Sequence, residues 1–197
     1  MNNLSLPKII DFLKFTIQFQ QTKRHIFAVG EDRNENDAEH SYQLSMLVWY
    51  MIQKFELKLD LNLAIKYAMV HDLEEAITGD IDIFNIAGRA NKEKLEAAAQ
   101  EKINQMFPDW NDFDNLSKSY KLLIDEESRF VNGLDKIIPV VSLFLDGGRT
   151  WKSENMTLSI LTENKRKKVK VHPITKLLWD EIEKILKKDE LKLFGKK

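Results

Sequence analysis

Apolar residues recur at three- and four-residue spacing along most of this chain, and strict alternation is scarce. The pattern predicts an all-α helical bundle. A first helix opens at Leu6-Pro7, where proline's missing N–H costs nothing, and carries Ile9, Ile10, Leu13 and Ile17 on one side. The polar stretch from Thr22 to Asp37 reads as a loop. Asn36 and Glu39 have the spacing of a capping box, and the helix they open carries Leu44, Leu47, Val48, Met51, Ile52 and Phe55. A third helix starts near Leu61 and runs unbroken to Gly79. Asn91 to Phe107 is amphipathic and is stopped by Pro108; another helix follows from about Leu116 to Ile124. Phe130 to Leu145 is strongly apolar and is closed by Gly147-Gly148. A last helix begins near Pro173 with Ile174, Leu178, Ile182 and Ile185. Between Thr150 and Val171 the pattern is weakest. The run Lys165-Arg166-Lys167-Lys168-Val169-Lys170 there is either a solvated helix face near a C-terminus or a basic rim that attracts an anion.

Composition narrows the class. With 197 residues the default is one domain around one sizeable core. Thirty Lys and Arg against thirty-one Asp and Glu leave a net charge of -1, so nothing global points to polymeric nucleic acid or to a membrane surface. There is no cysteine, which removes disulfides and thiolate metal sites. The first residues, MNNLSLPKII, lack a basic and then apolar leader, and no apolar run reaches the roughly 20 residues of a membrane span. The expectation is a cytoplasmic protein.

Three polar groups interrupt this plain picture. In Val70-His71-Asp72-Leu73-Glu74-Glu75-Ala76-Ile77-Thr78-Gly79-Asp80, helical projection puts Met69, Leu73, Ala76 and Ile77 on a core side. His71 and Glu75 stack on the other side with Asp72 beside them, and Ala68 leaves space in front. His40 stands in register with Leu44, Leu47, Met51 and Phe55, along the apolar stripe of its own helix. Asp135 shares a face with Val131 and Ile138. A buried polar group left unpaired costs roughly 1–3 kcal/mol, so each of the three needs a partner. One cause explains them better than three. Two neutral imidazoles and two carboxylates, His40, His71, Asp72 and Asp135, would hold a divalent transition metal such as Mn, Co, Fe or Zn and leave positions open for water and substrate.

These residues resemble the H…HD…D signature of the HD-domain metal-dependent phosphohydrolases. Three local blocks sharpen the resemblance: Arg33-Asn34-Glu35-Asn36-Asp37-Ala38-Glu39-His40-Ser41, His71-Asp72 through Gly79-Asp80-Ile81, and Arg129-Phe130-Val131-Asn132-Gly133-Leu134-Asp135-Lys136. Their order is similar to that of the 5'-deoxynucleotidase-like branch, whose members dephosphorylate deoxyribonucleoside 5'-monophosphates. The resemblance implies one HD domain over residues 1–197, with a signature core of about 6–145 and a helical extension of about 150–190. It implies that His40, His71, Asp72 and Asp135 ligate the metal, that Glu75 is the catalytic acid, and that Asp80 lines the nucleotide site. Arg33 and Arg24 become phosphate contacts, suited to it by the guanidinium fork. A homodimer is implied as well. The branch usually carries Arg-Trp after the first helix; this chain has Arg24-His25, one residue further from His40, and His25 is either a replacement contact or a plain loop residue.

Other readings have discriminating features. Two-iron HD oxygenases need further histidines after the doublet, and none lies between His71 and His172. Alarmone hydrolases usually show a Glu-Asp pair after it, which Leu73-Glu74-Glu75-Ala76 lacks. A module that binds nucleotide without turning it over is favoured by the altered Arg24-His25 and opposed by the intact ligand set with Glu75. Glu74, facing away from His71, reads as a solvated or salt-bridged acid, and for Glu127, just before the third block, a part in shaping the site is the less favoured reading.

Overall fold

The structure, a computed structural model, describes residues 5–80 and 91–194. Helix α1 (Leu6–Gln21) leads into a two-stranded antiparallel ribbon, β1 (Lys23–Phe27) and β2 (Asn34–Asn36), paired Lys23 to Asn36 and Phe27 to Asn34 with an irregular register between. The stretch expected to be a loop is therefore a hairpin. Its strands are short and polar, so no alternation marks them, and the reversal depends on Gly30 at φ +76 with Ala28 N–H donating to the Arg33 carbonyl. Helix α2 (Asp37–Lys54) follows at once, opened by the expected box: Glu39 N–H donates to Asn36 Oδ1 at 3.0 Å, and Asn36 N–H to Glu39 Oε2 at 3.1 Å.

Helix α3 (Leu61–Val70) starts at Asp60, which caps Asn62 and Leu63 N–H and whose own N–H is accepted by Glu127 Oε1. Glu127 thus braces a helix start and does not line the site. The single helix expected from Leu61 to Gly79 is broken: residues 71–74 form turns, and only Glu75–Thr78 (α4) returns to α geometry. Hydrogen bonds here run to the third residue back, as in Glu75 N–H to Asp72 O at 2.9 Å and Ala76 N–H to Leu73 O at 3.2 Å. This tighter winding changes the helical phase. It buries His71, Leu73, Glu74, Glu75 and Ala76 together and leaves Met69, assigned to the core by ideal projection, 51% exposed. Gly79 ends the segment at φ +72, as the sequence implied. Ile81 of the second motif block lies outside the described residues.

Beyond residue 90 come α5 (Lys92–Met106), α6 (Phe113–Leu122), α7 (Glu126–Leu145), α8 (Arg149–Ser153), α9 (Leu158–Val169), α10 (Pro173–Lys188) and α11 (Glu190–Phe194). Helix α7 opens with a second capping box, Asp125 with Ser128, and is closed by Gly147 and Gly148, both at positive φ. It is the spine of the fold. One face, with Phe130, Val131, Leu134 and Ile138, joins α1, α2 and α3 in a core that includes Phe15, Phe19, Leu44 and Tyr67. The other, with Ile137, Val140 and Leu143, meets Trp151, Leu158, Leu161, Val169 and Trp179 in a second core. Each large apolar side chain so buried contributes roughly 1.5–3 kcal/mol. Asp135 is buried in the middle of this helix. Among the described residues no helix is long and apolar enough to cross a membrane.

Candidate metal centre

Three parts of the fold deliver the four residues of the cluster. His40 comes from the first turn of α2, His71 and Asp72 from the turns after α3, and Asp135 from the middle of α7. One ligand atom from each lies within 4.8 Å of all the others. His40 Nε2 is 3.0 Å from Asp135 Oδ1, and His71 Nε2 is 3.7 Å from the same oxygen and 2.9 Å from Asp72 Oδ2. His40 is wholly buried, His71 and Asp135 nearly so.

The hydrogen bonding of His71 tests whether a metal fits. Its Nδ1 lies 3.0 Å from the Ala68 carbonyl, which can only accept, so Nδ1 carries the proton. Nε2 faces oxygens of Asp72 and Asp135, whose charges raise the imidazole's pKa in spite of burial, yet it makes no well-formed hydrogen bond among the described residues. Two carboxylates aimed at one buried imidazole nitrogen call for positive charge between them, which a metal cation ligated by Nε2 would supply. The donor set of two imidazole nitrogens and carboxylate oxygens, with no thiolate, is compatible with a divalent metal ion. A neutral His40 suits that role: burial, reinforced by the Arg24 charge, holds its pKa down to about 4. Asp135 stays well below the usual carboxylate range in spite of burial, because Lys136 and His40 bond to it. Tyr120 O–H also donates to Asp135, at 3.4 Å.

The cluster opens on a cleft lined by Arg24, His25, Asp72, Glu75, Asp80, Lys92, Asp135 and Lys136, with Trp151, Met156, Leu161, Lys165 and Lys168 across from them. Glu75 is the perturbed acid of the cleft. Burial first, and then the Asp72 charge, push its pKa up to about 9, although Lys92 Nζ lies 3.1 Å from its Oε1. Glu75 Oε2 has no hydrogen-bond partner among the described residues. Arg24 extends from β1 with Nη1 between Asp37 Oδ1 at 3.1 Å and Asp72 Oδ2 at 3.3 Å, and with Nε 3.3 Å from Glu35 Oε2. Its charge lies between Asp37 and Asp72, two of three carboxylates that converge there with Glu75. Asp80 accepts the backbone N–H of His25 at 3.3 Å, and burial raises its pKa. His25 Nε2 lies 3.1 Å from Glu154, so this side chain ties β1 to α8 at the mouth of the cleft.

The structure thus brings together eight of the nine site residues expected from sequence and leaves one out. Arg33 sits on the exposed hairpin, its guanidinium held by Glu31 at 2.7 Å and by Glu39 at 2.7 and 2.9 Å, away from the cleft. Its place in the chain fits a brace for the capping box instead. Glu74 is salt-bridged but not solvated: it is 1% exposed, accepts from Ser117 Oγ, and pairs with Lys121 Nζ at 3.0 Å. Sequence reasoning missed Asp37, Lys92, Lys136 and Tyr120. The buried position of Asp37 at the start of α2 leaves no periodic signal, because acids are ordinary in a first helical turn.

Residues 17–177 match the HD domain family. The 5'-deoxynucleotidase HDDC2 of Xenopus laevis is 26% identical over 131 residues, covering 65% of this chain and 64% of that protein. A 5'-deoxynucleotidase of Shewanella oneidensis is 35% identical over 85 residues, 39% of this chain and 44% of that one. The matched stretch spans less than two thirds of the length of either relative. Among solved structures, a predicted metal-dependent phosphohydrolase from Magnetospirillum magnetotacticum MS-1 superposes with a TM-score of 0.77 at 19% identity, over 92% of this chain and 96% of that one. A protein of Pyrococcus horikoshii OT3 does so with a TM-score of 0.64 at 25% identity, over 90% and 97%. The family match runs past both ends of the His40-to-Asp135 cluster, and the chain belongs to the HD-domain family.

Proposed function

We propose that this chain is a metal-dependent phosphomonoesterase that removes phosphate from (deoxy)ribonucleoside 5'-monophosphates. The observation that carries the reading is one cleft holding both a two-imidazole, two-carboxylate cluster and a buried carboxyl, Glu75, that keeps its proton near neutral pH. The names of its relatives supply the substrate class. A divalent metal held by His40, His71, Asp72 and Asp135, whether Mn, Co, Fe or Zn, supplies an acidified water and a charge that polarises the phosphoryl group. Glu75 holds or moves the proton, through the Oε2 that Lys92 does not engage. Arg24 offsets charge on the phosphoryl oxygens, and Asp80 and His25 frame the mouth where the nucleoside enters. Residues 1–197 act as one HD domain. The enzyme works in the cytoplasm as a homodimer formed through the outward face of α1.

The engagement of Arg24 by three carboxylates favours a second reading, nucleotide binding without turnover. Phosphate release from a panel of nucleoside 5'-monophosphates with Mn or Co separates the two. Release from at least one supports the esterase, whereas binding without release from any establishes the module. Glu75→Ala should lower turnover by about 100-fold or more while metal content stays constant. Unchanged turnover would remove Glu75 from the reaction.

A further inference from the structure

Among the described residues, three cations of the cleft are already committed to carboxylates. Arg24 serves Glu35, Asp37 and Asp72; Lys92 serves Glu75 and Glu96; Lys136 bonds to Asp135. Lys165 lines the same cleft and makes no ion pair or hydrogen bond among the described residues.

We propose that Lys165 is the cleft's phosphate-binding ammonium, supplied by the C-terminal helices to an oxygen of the substrate's monoester phosphate. The proposal rests on the phosphomonoesterase reading above. The fold fixes where this side chain points. Helix α9 buries Leu158, Leu161 and Val169 in the second core, and Leu161 and Lys165, four residues apart, both face the cleft. Its neighbour Arg166 turns the other way, to Glu183 Oε1 at 2.7 Å. The basic run is therefore split, one part on the surface and one part in the site. Lys165 is half-buried in the wall of the cleft that Asp135 and Lys136 also line. Burial, helped by Lys136, pushes its pKa down to about 7, so the bare cleft disfavours the charged form and a bound phosphate restores it. The ester substituent then lies along Val140, Leu143, Met156 and Leu161, an apolar wall suited to a nucleoside.

The test uses the metal-loaded enzyme and three variants, Lys165→Ala, Lys165→Gln and Lys165→Arg. With the monophosphate that wild type turns over best, the first two should raise KM, and the inhibition constant of inorganic phosphate, by about ten-fold, as expected for loss of one charge-assisted contact. Lys165→Arg should recover most of that. Inhibition by the product nucleoside, which has no phosphate, should stay within two-fold, as should metal content. A phosphate inhibition constant within two-fold of wild type in either neutral variant overturns the proposal. So does equal weakening of nucleoside inhibition, which would mark a damaged pocket. If wild type hydrolyses no monophosphate, the reading above fails. Calorimetric titration of inorganic phosphate into metal-loaded wild type and Lys165→Gln then still decides the role of Lys165, with the same ten-fold difference expected.

Discussion

Asp37 has no exposed surface, and its carboxylate meets Arg24 at 3.1 Å. Burial pushes its pKa from the ordinary carboxylate range up to about 7, Arg24 notwithstanding. The sign of the pH effect follows. In metal-free protein the folded chain holds this proton up to about pH 7, while the unfolded chain loses it near 4. The contribution to stability is therefore full below about pH 4 and gone once pH passes 7. Asp37→Asn cannot titrate. Wild type should accordingly be favoured over Asp37→Asn more at pH 5 than at pH 8, by on the order of 1 kcal/mol or more. Thermal melts of both proteins in chelator at the two values measure this, and a difference independent of pH would refute it. The residues legible in the sequence were those that contradicted their surroundings: His40 and Asp135 each interrupt an apolar stripe, and His71 and Asp72 cluster with Glu75 on the face opposite one. Lys92, Lys136 and Asp37 were not, because charge on a helix flank or in a first turn is unremarkable until the fold points it inward.

At the level of elements, α7 depends on Gly133 to approach α10. A Cβ built on Gly133 would lie 2.4 Å from Thr175 Oγ1 and 2.7 Å from Thr175 Cβ. Thr175 cannot yield easily, since it is fully buried and its hydroxyl bonds to the carbonyls of Val169 at 2.6 Å and His172 at 2.9 Å. Gly133→Ala should force the helices apart, cost about 1–3 kcal/mol, and weaken metal binding, because Asp135 stands two residues on. Melting temperature and a metal titration check both effects. Wild-type values for both would mean that the contact relaxes freely. Helices with long periods and clear caps were readable from sequence, as α2 and α7 show. The hairpin was not, for its strands are too short and polar to alternate. The turn at residues 71–74 escaped because ideal 100° projection assumes the winding that those residues abandon. Helix α10 shows a milder slip: Thr175, Trp179 and Leu186 take the buried centre, and Ile185 remains 48% exposed.

Across the whole molecule, α1 is apolar on two sides. Phe15 and Phe19 face the core. Ile9, Ile10, Leu13 and Ile17, the side chains that periodicity put on one stripe, are 43–53% exposed, and Leu6 at the helix start is 64% exposed. Periodicity finds an apolar stripe but not what covers it, and the shorter aromatic face won the core because its rings fill more volume there. Helix α2, packed on α1, adds exposed Tyr42, Met46, Trp49 and Tyr50. Extended apolar faces on a folded protein mark interaction sites. The homodimer implied by the family resemblance gives this face a natural occupant, since a two-fold axis lets one patch cover its own copy. Light scattering behind size exclusion should then give twice the single-chain mass for wild type. The double variant Ile10→Lys, Leu13→Glu should give the single-chain mass, with unchanged helical circular dichroism, because neither side chain belongs to the core. Wild type at the single-chain mass over the whole accessible concentration range would sink the dimer. A double variant that stays dimeric would move the interface away from α1.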